Sequence, residues 1–392
     1  MAVDSQLSPW PFHAQDEIDA VSAVLSSGKV NYWTGDNGRQ FEREFADYCN
    51  AKYAIALGNG TQALELALEA AGIGPGDDVI VTPRSFIASA SCVVRIGARP
   101  VFADISIDSQ NMTPETVEAV LTSKTRAIVA VHHAGWPCDM DGLMALADRH
   151  DLVVIEDCAQ AHGARFNGRP VGGLGHVAAF SFCQDKIMTT GGEGGMLVTS
   201  DEATWKKAWA IKDHGKGYDI VHSEDHPAGF RWLHESFGTN MRMTEMQAAI
   251  GRVQLRKLTE WVNKRTENAQ RIAGVLSGFS GIRVPMPDAQ TQHAYYRLYA
   301  FADNNWLKEG WSRDRLMNEI NALGVPCFSG SCPEIYNEKA FEAAGLRPGV
   351  PLPNAASLGP TSLAFLVHPT LTADDMQRTC DAISTVMSSS AR

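Results

Sequence analysis

The sequence predicts an α/β fold built on a mostly parallel sheet, and three observations carry that prediction. Between about residues 60 and 200, short β-rich runs alternate with segments of helical period. Those runs are apolar throughout, as strands are when helices cover both faces of a sheet. Glycine- and proline-rich turns punctuate them: Gly72-Ile73-Gly74-Pro75-Gly76-Asp77-Asp78 stops one helix and launches the next strand.

Taken in order, the strand-like runs are 79–82, 100–104, 127–132, 152–155, 178–182 and 196–199. Helical patterns lie between them at 61–71, 85–96, 113–121 and 141–148. After residue 199 the texture changes. A helix is expected at 202–210, then a loop rich in His, Gly and Asp, then a long helix over 244–276. Thr244-Glu245 suits the N-terminal cap of that helix. Beyond Gly281 a strand at 296–301, a helix at 312–323 and a closing helix from 372 give an α+β pattern. The expected organisation is a large domain over 1–260 and a smaller C-terminal α+β domain over 261–392.

The 392 residues exceed what one small core accommodates and suit about two domains. Hydrophobic content of 44% and charged content of 20% are those of a soluble globular protein. A formal net charge of −11 argues against nucleic acid or an anionic membrane as the main partner. An anionic substrate stays open, because a basic pocket can sit in an acidic protein. The start, MAVDSQLSPWPF, has neither the basic nor the apolar region of a signal peptide. No apolar run approaches the ~18–20 residues that span a bilayer. The eight cysteines lie mostly singly in apolar stretches. They read as reduced thiols in a cytoplasmic enzyme.

The chemistry concentrates between residues 155 and 195. Asp157 closes an apolar strand, and Lys186 sits between Phe180-Ser181-Phe182 and the cluster Thr189-Thr190-Gly191-Gly192-Glu193-Gly194-Gly195. This is the layout of a pyridoxal phosphate (PLP) site. Such a site needs a covalent lysine, a carboxylate on the ring nitrogen, a phosphate cup and a stacking face. Lys186 is the Schiff-base candidate, with burial beside a cationic ring expected to favour its neutral amine. Asp157 would keep the pyridine nitrogen protonated and the ring an electron sink; its bland alternative is a helix cap. Asn59-Gly60-Thr61 leads into a helix and is the candidate phosphate cup, with Ser181 adding a hydroxyl. Phe86 is either the stacking aromatic or a core residue. Gln160, three residues past Asp157 and read as sharing a helical face with it, is a candidate for the phenolic oxygen. His162 is a further neighbour, for substrate or for packing. The Gly-rich cluster is followed by a strand rather than a helix, which removes the geometry of a dinucleotide fingerprint and with it a dehydrogenase reading. His132-His133 suggests no metal, since no third ligand accompanies the pair.

Over nearly its whole length the chain resembles the DegT/DnrJ/EryC1/StrS family of nucleotide-sugar aminotransferases, of the aspartate aminotransferase fold (fold type I). The resemblance rests on Asn59-Gly60-Thr61, Gly76-Asp77-Asp78-Val79-Ile80-Val81, Gly97-Ala98-Arg99-Pro100-Val101-Phe102-Ala103-Asp104 and Ile155-Glu156-Asp157-Cys158-Ala159-Gln160-Ala161-His162-Gly163. It extends through the Lys186 segment to Gly238-Thr239-Asn240-Met241-Arg242-Met243-Thr244-Glu245. It implies a seven-stranded, mostly parallel central sheet sandwiched by helices, with a small C-terminal domain. It implies PLP held by Gly60, Thr61, Phe86, Asp157, Gln160, Ser181 and Lys186, with Asn240 reaching the phosphate of a second subunit in a homodimer with shared active sites. The implied reaction is ping-pong transamination from L-glutamate to a nucleotide-linked keto-sugar, with a 4-keto-6-deoxy hexose favoured and Lys186 as acid and base. Lysine at 186 argues for transamination, because a dehydratase branch of the family carries histidine there.

Arg242, Arg84, Arg39 and Arg231 are candidate cations for the donor carboxylate or the sugar diphosphate, and the loop 213–237 is a candidate substrate wall. Two departures stand out: one more glycine in 189–195 than the commoner motif, and Cys183-Gln184-Asp185 before the lysine. A keto-cyclitol acceptor and a catalytically silent regulator of the same fold remain as alternatives.

Overall fold

The structure, a computed structural model, describes residues 7–223 and 229–392. Its strands are β1 (Tyr53–Leu57), β2 (Asp78–Val81), β3 (Arg99–Phe102), β4 (Thr125–Val131), β5 (Val153–Asp157), β6 (Arg165–Phe166), β7 (Arg169–Pro170), β8 (Val177–Ser181), β9 (Gly195–Thr199), β10 (Ile282–Arg283), β11 (Thr291–Gln292), β12 (Leu298–Ala302), β13 (Cys327–Phe328) and β14 (Ser362–Phe365).

Seven of them form the central sheet, in the order β1-β9-β8-β5-β4-β2-β3. The run from β8 to β3 is parallel, and β9 lies antiparallel to both β8 and β1. The mostly parallel seven-stranded sheet is therefore present. Residue patterning located six of its strands and passed over β1. Tyr53-Ala54-Ile55-Ala56-Leu57 is short and alanine-rich, and its identity as a strand depends on the distant β9 it pairs with.

Both faces of this sheet are packed, which is why its strands read as unbroken apolar runs. In β4, Ile128 and Ala130 enter one core with Phe41, Phe45, Phe180 and Phe182, while Val129 and Val131 enter another with Leu64, Leu66, Val79 and Leu197. Adjacent residues of a strand point to opposite faces, so a two-sided strand has no polar phase.

A second sheet, β10-β12-β14-β13, stands beyond the long helix Glu245–Leu276. That helix begins at a Thr244–Gln247 capping box, one position from the expected start. It runs unbroken through residue 260. Its last turns send Ala269, Ile272, Ala273 and Leu276 into the core under the second sheet. The helix Ala373–Ser390 covers the same core. Two N-terminal helices, Gln15–Ser27 and Asn37–Tyr48, for which the sequence gives no separate expectation, pack on the long helix. Among the described residues no helix is long and apolar enough to cross a membrane.

Candidate active site

The C-terminal ends of β4, β5 and β8 and the start of the helix Gly60–Ala70 surround a cavity of about 570 Å³. Ligands collect at strand C-termini in open parallel sheets because helix starts and loops converge there. Asn59, Gly60, Thr61, Phe86, Asp157, Gln160, Ser181 and Lys186 all line this cavity. A second cavity of about 410 Å³ shares Phe86, Gln160, Asp185 and Lys186 with it and extends to Tyr296, Arg297 and Ser331.

Asp157 is the last residue of β5 and only 4% exposed. Ser89 Oγ donates to its Oδ2 at 2.7 Å, and the Ala159 N–H donates to its Oδ1 at 3.1 Å. Burial pushes the carboxyl up, against those two donors. Among the described residues no lysine, arginine or histidine lies within ion-pair distance of it. Residues 158–163 form turns rather than a helix, so Gln160 does not reach the site along a helical face as expected. It comes in on a turn instead. Its Oε1 accepts from the Ala134 N–H at 2.7 Å, which turns the amide NH2 into the free donor end.

At the other end, Asn59 caps the helix by accepting from the Gln62 N–H at 2.9 Å. Gly60 and Thr61 are the first two helical residues, whose N–H groups have no acceptor within the helix. A Cβ on Gly60 would lie 2.6 Å from Ser181 Cβ. Only glycine lets this helix start and the end of β8 close into one cup of N–H and hydroxyl donors. Phe86 is 65% exposed at the cavity wall, which removes the core reading for it.

Lys186 carries a side chain that is 14% exposed, with Nζ 3.8 Å from an Asp185 carboxylate oxygen and 5.1 Å from the Tyr296 ring centroid. The phenol of Tyr296 donates to Asp185 Oδ2. Burial alone would depress the lysine, as the sequence reading expected. Tyr296 and Asp185 outweigh it and hold the amine above its ordinary range. The unusual Asp185 is thus a direct electrostatic neighbour of Lys186. The N-terminal segment also reaches this loop, where the Trp10 indole N–H donates to the Lys186 carbonyl at 2.9 Å. Asp185, Tyr296, Ser89 and Trp10 escaped the sequence reading; of these only Asp185 carried a signal, as a departure from the family pattern.

The extra glycine has a local reason. Gly191 and Gly192 both take positive φ, at 86° and 120°. They turn the chain back so that the Gln184 N–H donates to the Gly192 carbonyl at 3.0 Å.

Six sequence candidates, His162, Asn240, Arg242, Arg84, Arg39 and Arg231, lie outside both cavity linings. His162 is fully buried against Phe180 and Phe182, and burial depresses its imidazole to about 3. Arg242 is held by Asp213 Oδ1 at 2.8 Å. Asn240 is exposed on its own chain, on a segment bridged to Asp213. Of the candidate substrate wall 213–237, residues 224–228 lie outside the described residues.

His132, Glu156 and Cys158 lie close enough to suggest a metal, but hydrogen bonds already commit the first two. His132 Nδ1 accepts from the Cys138 N–H at 3.0 Å, so Nε2 is the protonated nitrogen facing Glu156 Oε2, also at 3.0 Å. Glu156 accepts three further bonds, from the N–H groups of Gly172, Leu174 and Gly175.

The family profile described as the DegT/DnrJ/EryC1/StrS aminotransferase family matches residues 11–384. The chain belongs to that family. It is a PLP-dependent aminotransferase. An aminotransferase from Psychrobacter cryohalolentis of known crystal structure is 59% identical, with a TM-score of 0.96 over 98% of this chain and 99% of that one. GDP-perosamine synthase of Caulobacter vibrioides is 38% identical over 91% of this chain and 92% of its own. The L-glutamine:2-deoxy-scyllo-inosose aminotransferase of Streptomyces fradiae is 40% identical over 81% of this chain and 76% of its own.

Proposed function

We propose that this aminotransferase moves an amino group from L-glutamate to a nucleotide-linked keto-sugar by a ping-pong reaction, a 4-keto-6-deoxy hexose being the favoured acceptor. The observation that carries the reading is one cavity holding a lysine and a buried carboxylate that, among the described residues, has no cation at ion-pair distance, with a helix-start cup beside them. These groups fit the cofactor. Asp157 would face its ring nitrogen, Gln160 its phenolic oxygen and Phe86 its ring face, while Gly60, Thr61 and Ser181 would hold its phosphate and Lys186 its aldehyde carbon. When bound, PLP supplies an electron sink that stabilises negative charge at the substrate carbon bearing nitrogen.

The protein's own work is then positional and protonic. Lys186 Nζ carries the proton in each half-reaction, with Asp185 beside it favouring the protonated amine. Burial disfavours charge on Asp157, so a cationic ring nitrogen opposite it would be what holds the carboxylate ionised. Asn240 is exposed on its own chain, and the segment that precedes it carries three exposed aromatics, Phe230, Trp232 and Phe237. That surface supports a homodimer in which Asn240 completes the partner's phosphate cup.

The scyllo-inosose relative gives specific support to a second acceptor class, a keto-cyclitol, and to L-glutamine as donor. The test is the visible absorption of the PLP-loaded enzyme. L-glutamate should bleach the visible band with release of one 2-oxoglutarate per site, and Lys186→Ala should not respond. A panel of nucleotide keto-sugars and keto-inositols then shows which acceptor restores the band. A response to L-glutamine alone, or restoration only by a keto-inositol, would replace the corresponding half of the proposal.

A further inference from the structure

The four arginines singled out in the sequence do not supply the cation that an acidic substrate needs beside Lys186. Arg39 is spent on Asp36 and the Tyr32 carbonyl, Arg242 on Asp213, and Arg84 is fully buried on Gln110 and Ser362. Arg231 lines neither cavity. Among the described residues lining the two joined cavities, the cationic side chains are Lys186 and Arg297. We propose that Arg297 is the residue that receives a substrate carboxylate next to Lys186. The inference rests on the aminotransferase reading above and deepens it by naming a recognition group for the acid.

Three features of Arg297 support this. Its guanidinium carbon lies 4.9 Å from the Tyr296 ring centroid and 5.7 Å from that of Phe328, so two aromatic faces hold the group in place. A guanidinium flanked by aromatic rings rather than by acceptors keeps its N–H fork available for a planar anion. Among the described residues it has neither a carboxylate at ion-pair distance nor a side-chain hydrogen bond, unlike Arg39, Arg84 and Arg242. Of the two acids that share its cavity, Asp185 accepts from the Tyr296 phenol and Glu338 from the Cys332 thiol at 3.9 Å, and neither lies at ion-pair distance from Arg297.

Position supplies the rest. Tyr296, the neighbour of Arg297 in sequence, is tied to the carboxylate that lies 3.8 Å from Lys186 Nζ. An acid seated on Arg297 is therefore anchored in the same cavity as the lysine that handles its proton. A carboxylate matches the guanidinium in two parallel hydrogen bonds, and the fixed fork sets its orientation as well as its affinity. The carboxylate can come from the amino donor or from an acidic acceptor sugar, and these sources separate experimentally.

The experiment compares PLP-loaded wild type, Arg297→Gln and Arg297→Lys. Calorimetry gives the dissociation constant of 2-oxoglutarate, and single-turnover absorbance gives the L-glutamate dependence of the half-reaction. If the donor is the source, Arg297→Gln weakens 2-oxoglutarate by about 10- to 100-fold, the range for one charge-assisted contact. The half-saturating L-glutamate concentration rises alongside, the maximal rate moves far less, and Arg297→Lys recovers part of the loss. If the acceptor is the source, these stay put while UDP-glucuronate, but not UDP-glucose, binds the variant about tenfold more weakly. An Arg297 that only balances the charge of Asp185 changes the maximal rate and neither affinity. That result, or shifts under about threefold for both acids, overturns the proposal. A wild type that binds neither acid overturns it too. If wild type ignores L-glutamate and 2-oxoglutarate yet binds UDP-glucuronate through Arg297, the donor assignment fails while the Arg297 inference stands.

Discussion

Asp157 concentrates the residue-scale argument. Its carboxyl is buried, pushed up by that burial, and restrained chiefly by the Ser89 hydroxyl and the Ala159 N–H. A buried carboxylate in this state gains most from a cationic partner, because Coulombic attraction strengthens as water is removed. Asp157→Asn keeps the shape and an acceptor for the Ala159 N–H while removing the charge. It is expected to slow the L-glutamate half-reaction by about 100-fold or more, the scale for deleting one electrostatic partner at a reacting centre. Stopped-flow absorbance checks this, and a rate within a few-fold of wild type would deny Asp157 its role at the ring nitrogen. The variant should still fold, because Oδ1 can stay on the Ala159 N–H while the new NH2 donates to Ser89 Oγ, whose own proton can turn to Ser85 Oγ.

Among the elements, the meeting of the helix Gly60–Ala70 with β8 matters most. The helix start and the strand end approach so closely that a methyl group at residue 60 would press 2.6 Å from Ser181 Cβ. Both atoms belong to short, stiff parts of the chain, so one element must move. Gly60→Ala is expected to lower PLP affinity by about tenfold or more, because overpacking costs of ~1–3 kcal/mol fall on the phosphate cup. Equilibrium dialysis of the refolded variant measures it. Unchanged affinity would mean that the cup does not hold the phosphate.

Across the whole molecule, the site is pinned by contacts from remote parts of the chain. Ser8 Oγ donates to Asp375 at 2.7 Å, Trp10 reaches the Lys186 carbonyl, and Lys257 binds Asp16 and Glu17. At the centre, Glu156 accepts hydrogen bonds from His132 and from the amides of Gly172, Leu174 and Gly175. Burial would raise its carboxyl, but His132 and those amides outweigh it and hold it low. A carboxyl lower in the folded than in the unfolded chain contributes stability above the ordinary glutamate value. That contribution disappears as pH falls through the folded value. Glu156→Gln should therefore unfold more easily at neutral pH, by about 1–3 kcal/mol for each buried N–H that its NH2 leaves without an acceptor. Between about pH 5 and pH 3 it should lose stability less steeply than wild type. Denaturant titrations across that range decide it, and parallel pH curves would remove Glu156 as the acid-sensitive link.

The parallel sheet, the helix at 244–276, and the pairing of Asp157 with Lys186 were legible in the sequence. Each is written in local signals: two-sided apolar runs, a Thr cap, and a motif of fixed order. Strand β1, the turn that carries Gln160, the raised amine of Lys186 and the exposed position of Phe86 were not, because each depends on partners distant in the chain. Arg297 shows the difference most sharply. In the sequence it is one arginine among many in an aromatic stretch, and nothing nearby marks it. Only the packing of the second sheet against the first brings it to the cavity of Lys186, while the arginines that looked promising are drawn off by Asp36, Asp213 and Gln110. Backbone chemistry is set by neighbours along the chain, whereas which charge is left unpaired is settled only when the whole chain has closed.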